Sequence, residues 1–126
     1  MQDKHNSAKC KSVLVVDDDA DSVAMLSVFL ELLGHQVHAA ANGREAIQSA
    51  AEHTPDVILL DLSMPELSGY EAARQIRDLR LPREPLIVAA TGRSGANDRM
   101  ACEEAGIDVL LAKPLELEVI GRLLDS

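Results

Sequence analysis

Four apolar runs in this chain end on residues whose types can do chemistry. Val13–Val16 is followed by Asp17, Asp18 and Asp19, and Val57–Leu60 by Asp61. Leu86–Ala90 is followed by Thr91 and Gly92, and Val109–Ala112 by Lys113 and Pro114. Carboxylates held close together repel, and they do not all stay ionised without a cation. An all-oxygen donor set suits Mg2+, with Mn2+ as its substitute, bound through one or two carboxylates plus phosphate oxygens. A remaining carboxylate is a nucleophile that can form an aspartyl phosphate. Charge developing on phosphoryl oxygens calls for hydrogen-bond donors and positive charge, which Thr91 and Lys113 carry. Gly92 leaves room for the group to enter.

Each residue alone has a plainer reading. Asp19 or Asp21 caps the helix that follows, since Asp is a favoured N-cap. Asp61 alone is a turn residue before Met64-Pro65, Thr91 a strand-end hydroxyl and Lys113 a solvated lysine. Their convergence on one rim is what turns the reading towards phosphoryl chemistry. His5, His35, His38 and His53 are scattered and share no ligand spacing, so no role is assigned to them. Cys102, Met25, Met64 and Met100 read as packing residues.

The elements that must position this rim follow from periodicity. The four runs are rich in β-branched residues, with a weaker fifth at Gln36–Ala40. Helical stretches lie between them. Asp21–Leu33 places Val23, Leu26, Leu30 and Leu33 on one face and stops at Gly34, a typical residue just past a helix end. Asn42 with Glu45 and Ser68 with Glu71 have capping-box spacing for the second and third helices. Gly106 ends the fourth, and the fifth starts near Glu116. The strongest interior runs are apolar throughout rather than alternating, which marks strands buried on both faces. The expected fold is therefore α/β, a five-stranded parallel sheet with helices on both faces. In such a sheet ligands bind beyond the carboxyl ends of the strands, where the polar residues fall.

Composition narrows the partners. The chain has 126 residues and a net charge of −9, with 2% aromatics. An acidic chain poor in aromatics is unsuited to nucleic acid and to an anionic membrane surface. No run reaches the length of a membrane span, and residues 1–12 read as a flexible polar tail without a signal peptide's apolar core. The two cysteines form no motif and fit a reducing compartment. The expectation is a cytoplasmic domain over residues 13–126.

The motifs VLVVDD at 13–18, VILLDLSMPELSGYE at 57–71, LIVAATG at 86–92 and LLAKPL at 110–115 resemble the receiver domain of bacterial two-component response regulators, of the chemotaxis type. They agree with that family in identity, order and spacing over nearly the whole chain. The resemblance implies strand order 2-1-3-4-5, the flavodoxin-like order. It implies that Asp61 accepts a phosphoryl group from a phosphohistidine on a sensor histidine kinase or a His-phosphotransfer protein. Asp17, Asp18, Asp61 and the carbonyl of Ser63 would hold Mg2+. Lys113 would pair with the phosphoryl group, and Thr91 would carry the switch to a face built from the fourth helix, fifth strand and fifth helix. Ser63 and Arg93 occupy positions that tune phosphoryl lifetime, and the Lys113–Pro114 bond is expected to be cis. No motif identifies a downstream target.

One position departs from the family pattern. Many receivers carry Tyr or Phe three residues before the lysine, where this chain has Leu110. The alternatives are a pseudo-receiver that only binds partners, or a Mg2+-dependent phosphatase of the haloacid dehalogenase type. The latter's motif fails at Asp21, and the chain lacks room for its cap. A flavodoxin-like FMN carrier would need a Ser/Thr/Gly-rich loop where the three aspartates stand.

Overall fold

The computed structural model describes residues 10–64, 67–92 and 96–125, with side chains in the last segment from residue 99. Strands and helices alternate: β1 Ser12–Val16, α1 Ala20–Leu32, β2 Gln36–Ala40, α2 Gly43–His53, β3 Val57–Asp61, α3 Gly69–Asp78, β4 Leu86–Thr91, α4 Ala96–Ala105, β5 Val109–Ala112 and α5 Leu117–Asp125. The strands form one parallel sheet in the order β2-β1-β3-β4-β5, the order expected.

The period-2 alternation of a strand sends successive side chains to opposite faces. Leu14, Val16, Ile58, Leu60, Ile87 and Ala89 pack on one side with residues of α2, α3 and α4, such as Ala46, Ala73 and Cys102. Val13, Val15, Val57, Leu59 and Val88 face the other way, onto Leu26 and Leu30 of α1 and Ile120 and Leu124 of α5. Both faces are thus covered, which is why the three inner strands are apolar at every position of their interiors. The edge strand β5 is only half-buried.

Local signals set the helix ends. Asp19 caps α1, accepting the Asp21 amide at 3.2 Å and the Ser22 hydroxyl at 3.0 Å. Beyond α1, Gly34 adopts φ +95°, while its N–H bonds to the Glu31 carbonyl and that of His35 to the Leu30 carbonyl. That is a Schellman closure, and glycine takes its left-handed position without a Cβ penalty. In α2 the Asn42 side chain accepts the Glu45 amide, and Glu45 reaches back to the Ala41 amide, each at 2.9 Å. Ser68 accepts the Glu71 amide at 3.3 Å at the start of α3.

Two expectations are corrected. The tail does not extend to residue 12: Ser12 lies in β1, and its N–H donates to Asp56 Oδ2 at 2.8 Å. Lys11 is held too, its N–H donating to Nδ1 of buried His35 at 3.1 Å. Residues 1–9 lie outside the described residues. Met25 and Met100 do not fill the core; they are 56% and 59% exposed, whereas Met64 is buried. Asp61 and Thr91 are the last residues of β3 and β4, and their backbones pair with Ala90 and Ala112.

Candidate phosphoacceptor site

Every strand end that bears chemistry reaches the same rim. β1 and β3 are neighbours in register, Val16 beside Leu60, so Asp17 and Asp18 emerge next to Asp61. One carboxylate oxygen each of Asp17, Asp18 and Asp61 lies within 4.8 Å of the others. β4 and β5 bring Thr91 and Lys113 to the same edge, and the Lys113 amide donates to the Thr91 carbonyl at 2.8 Å. The Lys113–Pro114 peptide is cis, as expected.

Asp61 is the centre of this arrangement. It is 5% exposed, and its Oδ1 takes both the Lys113 ammonium at 3.0 Å and the Ser63 amide at 3.0 Å. A buried carboxylate survives ionised only when such partners compensate it. Asp17 is half-buried, with its Oδ1 accepting the Asp19 amide at 2.9 Å. Burial pushes its carboxyl above the usual range, and the charges of Asp61 and Asp18 push the same way, against the Asp19 amide and Lys113. Asp18 is exposed, and Thr91 is buried at the end of its strand. The donor set is three clustered carboxylates, all hard oxygen, and so fits a hard divalent cation.

Two backbone features had no counterpart in the side-chain pattern. One is the Ser63 amide on Asp61. The other is Gly69: a Cβ there would lie 2.7 Å from the Asp61 carbonyl oxygen and 2.8 Å from Leu62 Cα. Only glycine lets α3 begin directly on the backbone that carries Asp61. The Ser68-Gly69 pair at a helix start was the sequence's one trace of it. At Gly92, by contrast, a Cβ would meet nothing within 4 Å among the described residues. Leu110 is half-buried and packs against the α2-α3-α4 side of the core. Arg93 lies outside the described residues.

The model of the response regulator receiver domain matches residues 13–125. The chain belongs to that family. This receiver is 41% identical to the transcriptional regulatory protein PrrA of Mycobacterium tuberculosis over 112 residues, which are 88% of this chain and 47% of PrrA. The receiver therefore spans about half the length of that relative. Among solved structures it resembles the chemotaxis protein CheY4 of Vibrio cholerae, with TM-score 0.86 and 30% identity over 91% of this chain and 96% of CheY4. It also resembles the receiver domain of the sensor histidine kinase PA1611 of Pseudomonas aeruginosa, with TM-score 0.77 and 33% identity over 91% and 94% of the two chains. That structure carries a magnesium ion in its active site cleft. Membership sets aside the phosphatase and flavin readings. The receiver is a signalling domain of two-component systems rather than a classical enzyme. Among the described residues no helix is long and apolar enough to cross a membrane.

Proposed function

We propose that this receiver takes a phosphoryl group onto Asp61 from a phosphohistidine of a sensor histidine kinase or His-phosphotransfer protein, in the cytoplasm. The observation that carries the reading is the pairing of one buried carboxylate with Lys113 beside two further acids. In the step, a carboxylate oxygen of Asp61 forms the new P–O bond. The P–N bond to the donor imidazole breaks, and its electron pair stays on the nitrogen. Asp17, Asp18, Asp61 and the Ser63 carbonyl would hold Mg2+, which neutralises charge on the phosphoryl oxygens when bound. The magnesium of the PA1611 receiver supports this assignment.

The chain's own groups do the rest. Lys113 shifts from the Asp61 carboxylate to the phosphoryl oxygens, and the Thr91 hydroxyl donates to them. Ser63 and Arg93 tune how long the acyl phosphate survives water. The added charge of about −1.5 to −2 draws Thr91 towards it, and Leu110 repacks behind it, altering the α4-β5-α5 face. The receiver thus also catalyses its own phosphorylation from small donors. Asp61→Asn should abolish hydroxylamine-sensitive labelling by acetyl phosphate. Labelling left undiminished in that variant would overturn the assignment.

A further inference from the structure

His38 and His53 are fifteen residues apart in sequence, a spacing without metal-ligand character. The fold nevertheless stacks them. His38 projects from the edge strand β2 and His53 from the last turn of α2, with ring centroids 3.7 Å apart and planes 9° from parallel. Oε1 of Glu52 lies 3.9 Å from Nε2 of His53. Among the described residues the ring nitrogens of both histidines make no hydrogen bond, and Glu52 is their one close acidic neighbour. Two imidazoles are therefore held side by side at the surface with their lone pairs uncommitted.

We propose that His38 and His53, with Glu52 beside them, form a second cation site on this receiver, selective for a borderline transition ion of the Zn2+ class. The chemistry separates it from the acidic rim. Imidazole nitrogen suits Zn2+, Cu2+ and Ni2+, whereas an all-carboxylate set suits Mg2+. Tetrahedral Zn2+ with bonds of about 2.0–2.1 Å needs two nitrogens about 3.3 Å apart. The stacked rings already have that order of separation. The ring planes lie 9° from parallel, and a turn of each ring about its Cβ–Cγ bond aims one nitrogen of each at a shared ion. This rotation breaks no hydrogen bond among the described residues and lies within the broad torsional range of that bond. Glu52, 68% exposed, is free to swing in as third ligand, leaving water for the fourth. Such an ion would tie the sheet's outer edge to the end of α2, whereas the backbone runs on from there through Thr54 to β3 in the middle of the sheet.

The experiment is a calorimetric titration of the Cys10→Ser protein with Zn2+ in saturating Mg2+, repeated in His38→Gln, His53→Gln and Asp61→Asn. One equivalent should bind at micromolar concentration. Each histidine variant should weaken it by more than about tenfold, while Asp61→Asn leaves it unchanged. Melting curves of the Zn2+-free variants check that they remain folded. Binding that survives both histidine substitutions, binding lost only in Asp61→Asn, or no binding at all would overturn the proposal. Because the site does not touch Asp61, any of these results leaves the phosphoacceptor reading standing.

Discussion

Lys113 reaches from the edge strand β5 across β4 to place its ammonium 3.0 Å from the carboxylate of Asp61 on the central strand. In the cation-free protein this lysine is the counter-charge of a buried acid. Its own side chain is 36% exposed, so solvent screens part of the attraction. Lys113→Ala should cost about 1–2 kcal/mol, read from the urea midpoint. Removing a cation from the rim also favours a second one, so Mg2+ should raise the melting temperature of Lys113→Ala more than that of the wild type. Equal Mg2+ responses would show that the lysine does not feel the metal site.

Asp17 predicts the opposite sign. Its folded pKa is raised above the ordinary value of 3.8, first by burial and then by Asp61 and Asp18. A group of this kind favours the folded state below its unfolded pKa, and that contribution is lost as pH rises through the folded pKa. At pH 7 the ionised carboxylate is a net cost. Asp17→Asn should therefore melt higher than wild type in EDTA. In Mg2+ the order should reverse, because wild type gains about 2.7 kcal/mol at a hundredfold excess over its Kd. Scanning calorimetry under both conditions checks the crossing.

His35 gives a pH dependence away from the rim. It is buried and accepts the Lys11 amide through Nδ1. Burial lowers its pKa from 6.5, against the pull of Asp125 and with a small push from Lys11. Its contribution is present above pH 6.5 and is lost as pH falls through the folded pKa, when the acceptor nitrogen must take a proton. Stability of the wild type should fall between pH 7 and 5 more steeply than that of His35→Gln. Parallel slopes in urea unfolding would exclude His35 as the source.

Arg77 spends its whole guanidinium on the ends of the strands opposite the rim. Nε donates to the Gly106 carbonyl at 2.9 Å, and Nη1 to Glu84 and the Pro85 carbonyl at 2.9 and 2.8 Å. Nη2 donates to Asp108 at 2.8 Å, whose same oxygen takes the Ile87 amide at 2.9 Å. Arg77→Ala should cost about 2–3 kcal/mol. Arg77→Lys should recover little, since an ammonium cannot reproduce the planar fork. Denaturant titration of the two variants distinguishes fork from charge.

The switch is tested by its size. A leucine at 110 fills less volume than an aromatic ring, so its coupling to Thr91 should be weak and graded, below the roughly 5.5 kcal/mol of a full population reversal. Amide shifts with Mg2+ and beryllofluoride should extend through Met100–Gly106 and Leu110–Ala112. Shifts confined to the surroundings of Asp17, Asp61 and Lys113 would refute it.

The site was legible because its residues terminate strands, and a strand's end is marked by where an apolar run stops. Asp61 after Val57–Leu60 needed no long-range information. The arrangement of the sheet needed the resemblance, since periodicity says which residues are buried but not which strand lies beside which. What escaped was pairing between elements far apart in sequence. The Lys11–His35 hydrogen bond follows only from the crossover that lays β2 beside β1, and the His38–His53 stack only from the way α2 folds back along β2. Met25 was misplaced because α1 is apolar nearly all round: Val28 and Leu32 join it on the exposed side while Leu26 and Leu30 are buried. The stripe through Leu26 and Leu30 does not tell which of the helix's other apolar residues face solvent.

The acceptor strand has a further consequence for how the molecule breathes. β3 is buried at all five positions and hydrogen-bonded on both flanks, whereas β5, which carries Leu110 and leads into Lys113, is a half-buried edge. Amides at the heart of such a sheet exchange with solvent only when the whole domain opens, and edge amides exchange through local fraying. In deuterated buffer, Leu59 and Leu60 should outlast Leu110 and Leu111. Asp61 then rides on the slowest-exchanging strand, and Lys113 leaves from one of the quickest.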